Sequence, residues 1–407
     1  MMADVNPEDV ALATRHPELG LMMLEGGSII AAALAPSLTM SGDPVPEHIR
    51  FVPGRSAVVQ FRAHVGVDGD PPNLMRFVAS LGRRVPGDPA IVSIEGRDVA
   101  VWRVPDDPYL PGLPILSNVT TTTPLLEQLG ITGNIQSLRR RSYRPSRRAV
   151  VEIATTTHRV FAKVVRPDRT RRLQDVHTAV ARHAPIPRSL GWSKRYGIAM
   201  LEALPGHPLR QVIEDPEGEL PEPLELLALL DTLIEDDVGD TSLTGLVDAM
   251  PRHVRLIGAI LPEVADRAIA IAGTVDDHAT SSDTVAVHGD FHSSQVIVQS
   301  GRPTGLIDID TVGLGQRVDD LANLLAHVSV IADSLGANRQ RAVSYGARLT
   351  SVFDRVVDPQ QLRLRTAAAI LGYASGPFRV QEADWRDGTS RRVALAEEWV
   401  ASAMSSR

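Results

Sequence analysis

Between Thr284 and Asn323 the chain reads T-V-A-V-H-G-D-F-H-S-S-Q-V-I-V-Q-S-G-R-P-T-G-L-I-D-I-D-T-V-G-L-G-Q-R-V-D-D-L-A-N. His288, Asp290, Gln295 and Asp308 in this stretch have the types and spacing that phosphoryl transfer requires. The transferred group spreads charge over three equatorial oxygens. A protein must therefore set one carboxylate beside the attacking hydroxyl and supply oxygen ligands for a cation that bridges the phosphates. His288 and Asp290 are the candidate catalytic residues, with Asp290 as the base. The Gln295 amide oxygen and the Asp308 carboxylate suit Mg2+, a hard ion that takes oxygen ligands. Asp310 follows Asp308 at strand spacing and either supports the metal or caps the Thr311 to Gly315 turn. Zinc is the competing reading, because His288, Asp290 and His292 alternate as ligands on a strand would, but zinc asks for a further close ligand.

The elements that must hold these residues are legible around them. Val285 and Val287 alternate with small neighbours and lead into His288. Gln295 to Gln299 and Gly305 to Ile309 are short apolar runs joined through Ser300-Gly301-Arg302-Pro303-Thr304, a hairpin signal. Leu321, Leu324, Leu325 and Val328 then form a helical stripe after Asp319-Asp320, and Asp320 is expected to cap that helix and brace the loop. Leu224 to Ile234, after Pro221 and Pro223, reads as another helix.

A second group of signals lies upstream. Arg148 to Ala154 and His158 to Val165 read as a hairpin around Thr155-Thr156-Thr157. Its second strand carries Lys163, one of two lysines in a chain with forty arginines. A lysine kept where arginine is otherwise used points to a site that needs a compact ammonium, as the α and β phosphates of a nucleotide do. Asp168 to Ala184 reads as a helix with Leu173, Val176, His177, Val180 and Ala184 on one face. Asp175 falls on the other face, so no acidic partner for Lys163 is assigned. Ser189 to Trp192 and Tyr196 to Leu201 complete a small sheet.

His288-Gly289-Asp290, the position of Gln295, Ile307-Asp308 and Asp320-Leu321-Ala322 together resemble the aminoglycoside phosphotransferase and choline kinase branch of the protein-kinase-like fold. The resemblance implies a two-lobed α+β fold over roughly residues 125–407, with a small β-rich lobe, a larger helical lobe and an extra N-terminal α+β domain in front. It implies a kinase that uses ATP or GTP with Mg2+ and phosphorylates a hydroxyl of an amino sugar, aminoglycoside or similar metabolite. Met200 to Leu209 resembles the family's hinge, where Met200, Glu202 and Leu204 would meet the nucleotide base. The late loops of such folds line the acceptor pocket, which makes Glu382, Asp384 and Trp385 candidate substrate contacts for an amine-bearing acceptor. The family usually has Asn where Gln295 stands. That departure leaves a second reading, a catalytically inactive nucleotide-binding regulatory protein of the same fold.

The whole chain sets the bounds. Its 407 residues are 43% hydrophobic and 22% charged, an ordinary globular composition with room for two or three domains. With no cysteine it has neither disulfides nor thiol chemistry, which fits a cytoplasmic protein. The net charge of −7 argues against a nucleic-acid partner. The apolar segment Leu19 to Met40 is interrupted by Glu25, Gly26, Gly27 and Pro36 and reads neither as a signal peptide nor as a membrane span. Arginines gather at 139–141, 144, 147 and 148, where some could help with nucleotide phosphate, while Gln211 to Asp240 is acidic without a basic residue. Arg50 to Phe61 (R-F-V-P-G-R-S-A-V-V-Q-F) aligns with Ser142 to Ile153 (S-Y-R-P-S-R-R-A-V-V-E-I). Residues 1–124 thus read as a degenerate duplicate of the small lobe at 125–204, ahead of a helical lobe at 205–407; the alternative is two unrelated hairpins.

Overall fold

The computed structural model describes residues 7–34, 38–66, 71–239 and 241–405. Pro36 and Asp240, used above, lie outside them. The chain divides into two compact units. The first comprises Met1–Arg171, Leu190–Leu201 and Pro377–Trp385; the second comprises Arg172–Ser189, Glu202–Gly376 and Arg386–Arg407. Among the described residues no helix is long and apolar enough to cross a membrane.

The first unit contains two five-stranded sheets. Strands β1 (Thr39–Val52), β2 (Ser56–Gly66), β3 (Asn73–Leu81), β4 (Ala90–Ile94) and β5 (Arg97–Arg103) lie in the order β1-β2-β3-β5-β4. Strands β6 (Ile135–Arg144), β7 (Arg148–Thr155), β8 (Arg159–Val165), β9 (Ser189–Ser193) and β10 (Ile198–Glu202) lie in the order β6-β7-β8-β10-β9. Strands β4 and β5 form a hairpin, because Glu95 and Gly96 adopt φ of 49° and 72° and reverse the chain.

The first hairpins of the two sheets share their register. Arg50 pairs with Val58 and Val52 with Ser56, while Ser142 pairs with Val150 and Arg144 with Arg148. Both turns have Pro first and a left-handed residue second, Gly54 at φ 70° and Ser146 at φ 62°. On the third strands, Ser80 pairs with Val58 as Lys163 pairs with Val150. The β6–β10 sheet buries Val151, Ile153, Val160, Ala162, Val164 and Met200 against Leu113 and Leu116 from around the Gly112–Ile115 helix and Leu125 and Leu126 of the Val119–Gln128 helix.

In the second unit the core gathers Leu226, Leu229 and Leu230 of the Pro223–Leu230 helix with Leu321, Leu324, Leu325 and Val328 of the Arg317–Ser334 helix. The latter helix is buried on nearly every side, Asp320, Asn323 and His327 included, so its burial extends beyond the apolar stripe. Four short strands frame the loop of interest: β12 (Thr284–Val287) pairs with β15 (Gly313–Gln316), and β13 (Val296–Gln299) pairs with β14 (Arg302–Leu306). Strand β11 (His207–Pro208) adds to β13.

Candidate active site

Strand β12 ends at Val287, and the chain then turns sharply through Gly289, whose φ is 75°. A Cβ there would lie 2.4 Å from the Thr311 carbonyl oxygen, so only glycine fits the turn. Asp320, 2% exposed, fastens the loop: its Oδ2 accepts from the His288 N–H at 2.7 Å and its Oδ1 from the Gly289 N–H at 2.9 Å. Burial pushes the Asp320 carboxyl above its ordinary range, while the His288 ring and these two donors oppose the rise. Asp320 braces the loop as expected, but it does not cap its helix, whose N-cap is Gln316.

His288 is fully buried. Its Nε2 lies 3.0 Å from the Ile307 carbonyl oxygen and its Nδ1 takes the Asp290 N–H at 3.3 Å, which fixes the neutral tautomer with the proton on Nε2. Both nitrogens are engaged within the protein, and the ring ties the loop to the residue after β14 and to the Asp290 backbone. The Asp290 side chain is 41% exposed, with its Oδ2 3.8 Å from His292 Nε2.

Beyond Asp290 the chain brings an amide and a second carboxylate together. Asp308 stands at φ 60° and ψ 43° before a 3-10 turn, Ile309–Thr311. This left-handed state costs a non-glycine residue roughly 1 kcal/mol and aims its side chain differently from a strand residue's. Asp310 lies within that turn, so the strand spacing read from sequence does not relate the two carboxylates. The Gln295 side-chain amide is 3.2 Å from His292 Nε2 and 3.4 Å from Asp308 Oδ2. His292 Nδ1 takes the Ser294 N–H at 3.2 Å, so the neutral ring carries its proton on Nε2. Turning the Gln295 amide so that its oxygen faces His292 satisfies that donor and sets two oxygens beside each other. A hard cation fits this donor pair, and Gln295 with Asp308 would hold it. Among the described residues no group of three or more His, Cys, Asp and Glu could hold a metal, which removes the zinc reading of His288, Asp290 and His292.

Behind the loop lies a layer that the sequence reading missed. His292 stacks on His327 with ring centroids 4.6 Å apart. The buried Ser293 hydroxyl meets His327 Nδ1 at 2.8 Å, and Tyr373 donates to Asn323 Oδ1 at 2.7 Å. Burial, with the nearby His292, Arg210 and Arg392, keeps the His327 pKa well below the usual histidine range, so it stays neutral. His327 sits inside an apolar helical stripe, where sequence alone offers no reason to look.

The remaining candidates are spread over both units. Lys163 is 6% exposed on β8 and Met200 is fully buried on β10, both in the first unit. Glu202 and Leu204 belong to the second, where the Glu202 carboxylate accepts from Arg188 Nε at 2.9 Å. Asp175 is exposed, as its helical position implied. Glu382 and Asp384 are exposed in the first unit, but Trp385 is 6% exposed and packs edge-on against Phe378 at 4.9 Å, so its ring face serves the core.

Two solved structures of a thermostable mutant of aminoglycoside phosphotransferase APH(4)-Ia are similar to this chain. The apo form is 18% identical with a TM-score of 0.50, covering 68% of this chain and 97% of that one. A ternary complex with AMP-PNP and hygromycin B is 17% identical with a TM-score of 0.50, covering 70% and 99%. At this identity the likeness concerns the fold, which is the two-lobed protein-kinase-like α+β fold preceded by the β1–β5 domain. No curated protein matches the sequence. Residues 146–357, more than half of the chain and including every residue of the loop just described, match the model of the phosphotransferase enzyme family, and the chain belongs to that family.

Proposed function

We propose that this protein transfers the γ-phosphoryl group of a nucleoside triphosphate, ATP or GTP, to a hydroxyl of an amino sugar, aminoglycoside or similar small molecule. The observation that carries the reading is the loop in which Asp290 is exposed while Asp320 and His288 hold its backbone from behind. In this reading the Asp290 carboxylate accepts the acceptor's hydroxyl proton as its oxygen bonds to the γ-phosphorus. The bond from that phosphorus to the bridging oxygen breaks, and its electron pair leaves with the nucleoside diphosphate. Lys163 binds phosphate oxygens, and Met200, Glu202 and Leu204 border the base. Gln295 and Asp308 hold Mg2+, which when bound offsets charge on the phosphate oxygens.

The departure at Gln295 motivates the second reading, a nucleotide-binding protein without turnover. Against it, with the amide turned as described, the Gln295 oxygen stands 3.4 Å from Asp308 Oδ2, so the longer side chain still offers an oxygen beside that carboxylate. We also read residues 1–124 as a duplicate of the small lobe at 125–204 that has lost the nucleotide lysine. The shared strand order, hairpin register and turn conformations support this, as does Ser80 at the position equivalent to Lys163.

The deciding experiment measures release of ADP and GDP by purified protein with Mg2+, with and without amino sugars, aminoglycosides, amino alcohols and plain sugars. Release stimulated by one acceptor class establishes the kinase and names the class. Saturable nucleotide binding with no release for any acceptor favours the inactive reading.

A further inference from the structure

Arg50 sits on β1, and its Nη2 is buried without a hydrogen-bond partner. A charged donor left dry and unpaired is costly and rare, and it marks a place where an acceptor belongs. The groups around it are of the same sign. Burial and the guanidiniums of Arg83, Arg147 and Arg166 push the Arg50 pKa down to about 10, opposed by Tyr109. Arg147 is lowered in turn by burial and by Arg148, Arg169, Arg379 and Arg83. Arg50, Arg83, Arg147 and Arg166 come from β1, the loop after β3, the β6–β7 turn and the segment after β8, all within the first unit.

The arrangement is held in place. Arg166 Nε donates to the Ser146 carbonyl oxygen at 3.1 Å and its guanidinium covers the Tyr109 ring at 4.3 Å. The neighbouring carboxylate is Asp107, and its oxygens are already engaged. It accepts from the Tyr143 hydroxyl and the Ser146 N–H, both at 2.7 Å, and from the Tyr109 N–H at 2.9 Å. Arg83 and Arg147 are exposed and carry no ion pair among the described residues. The Arg166 hydrogen bond ties that guanidinium to the β6–β7 turn that carries Arg147, and the unpartnered Arg50 Nη2 acts on the same group of charges. Planar forked donors of this kind suit a multiply charged oxyanion.

We propose that Arg50, Arg83, Arg147 and Arg166 form a binding site for the phosphate group of a small molecule. The site uses none of the catalytic or metal residues of the kinase reading, and it rests on that reading only where the phosphate is the nucleotide's own. Two sources share the chemistry, a free or metabolite-borne phosphate and the phosphates of the nucleotide.

The test titrates inorganic phosphate and pyrophosphate into the full chain by calorimetry and thermal melting, against sodium chloride at equal ionic strength. Saturable binding that raises Tm is expected. Arg147→Gln, on an exposed turn, weakens it about tenfold, as loss of one charge-assisted hydrogen bond should. Arg50→Met abolishes it without lowering Tm in the absence of phosphate, because it removes the orphaned donor. If Arg50→Met does not fold, Arg83→Gln joins Arg147→Gln in deciding. Absence of saturable binding, or binding unchanged in these variants, overturns the proposal. Competition by AMP-PNP identifies the phosphates as the nucleotide's own, and simultaneous binding identifies a separate phosphorylated ligand. Neither probe requires turnover or an acceptor, so failure here is distinct from failure of the kinase reading.

Discussion

Asp290 and His288 show how two residues of one motif divide the work. Asp290 is exposed and available to a proton, whereas His288 is spent on Ile307 and on the Asp290 backbone. Asp290→Asn keeps the size and the backbone contacts but removes the basic oxygen. It should lower kcat by a factor on the order of 100 to 10,000, the usual worth of a general base. Nucleotide affinity, measured by titration with AMP-PNP, should stay within about threefold of the parent. Retained turnover would remove Asp290 from the role of base. The sequence named this pair because spacing carries it, but it could not tell the exposed member from the buried one.

At the scale of the element, the loop from β12 to the Arg317–Ser334 helix is a closed set of contacts. Asp320 takes two backbone N–H groups, the Thr311 hydroxyl donates to the His288 carbonyl oxygen at 3.0 Å, and Gly289 lets Thr311 approach. Gly289→Ala would drive a methyl group into that carbonyl and against Leu243, with φ still positive. A loss of roughly 2–3 kcal/mol of stability is expected from strain and overpacking together, read as a lower urea midpoint at unchanged slope. An unchanged midpoint would mean that the loop relaxes freely. The hairpins and helices here were legible from apolar runs and turn residues. The left-handed Asp308 was not, because one residue's φ depends on the surrounding hydrogen bonds rather than on its type.

For the molecule as a whole, charge within the first unit ties stability to pH. His48 is pushed down to about 4 by burial and by Arg379, Arg144 and Arg50. The folded state therefore holds it neutral at pH values where the unfolded chain, near 6.5, binds a proton. Its contribution is present above pH 6.5 and is lost as pH falls towards 4. The difference amounts to at most roughly 3 kcal/mol. Thermal melts from pH 7 to 4 should show a smaller fall for His48→Gln than for the parent; parallel curves would mean that other groups set the acid limit.

The sequence by itself determined the chemistry on offer and the main elements. Chemical type and spacing in His288, Asp290, Gln295, Asp308 and Lys163, and periodicity along the strands and the Leu321–Val328 stripe, are local properties, readable without neighbours. The Arg50 to Phe61 and Ser142 to Ile153 similarity was visible in the same way, and it recurs in matching register and turn geometry. Tertiary structure alone decided which side chains are consumed by support. Asp320 reaches back over thirty residues to the loop, His327 lies under His292, and Trp385 turns into the core. It also decided which like charges act on one another, since Arg83, Arg147 and Arg166, far from Arg50 along the chain, depress its pKa in the folded protein. Burial, partner choice and electrostatic neighbourhood depend on contacts between distant segments, and no reading along a single chain contains them.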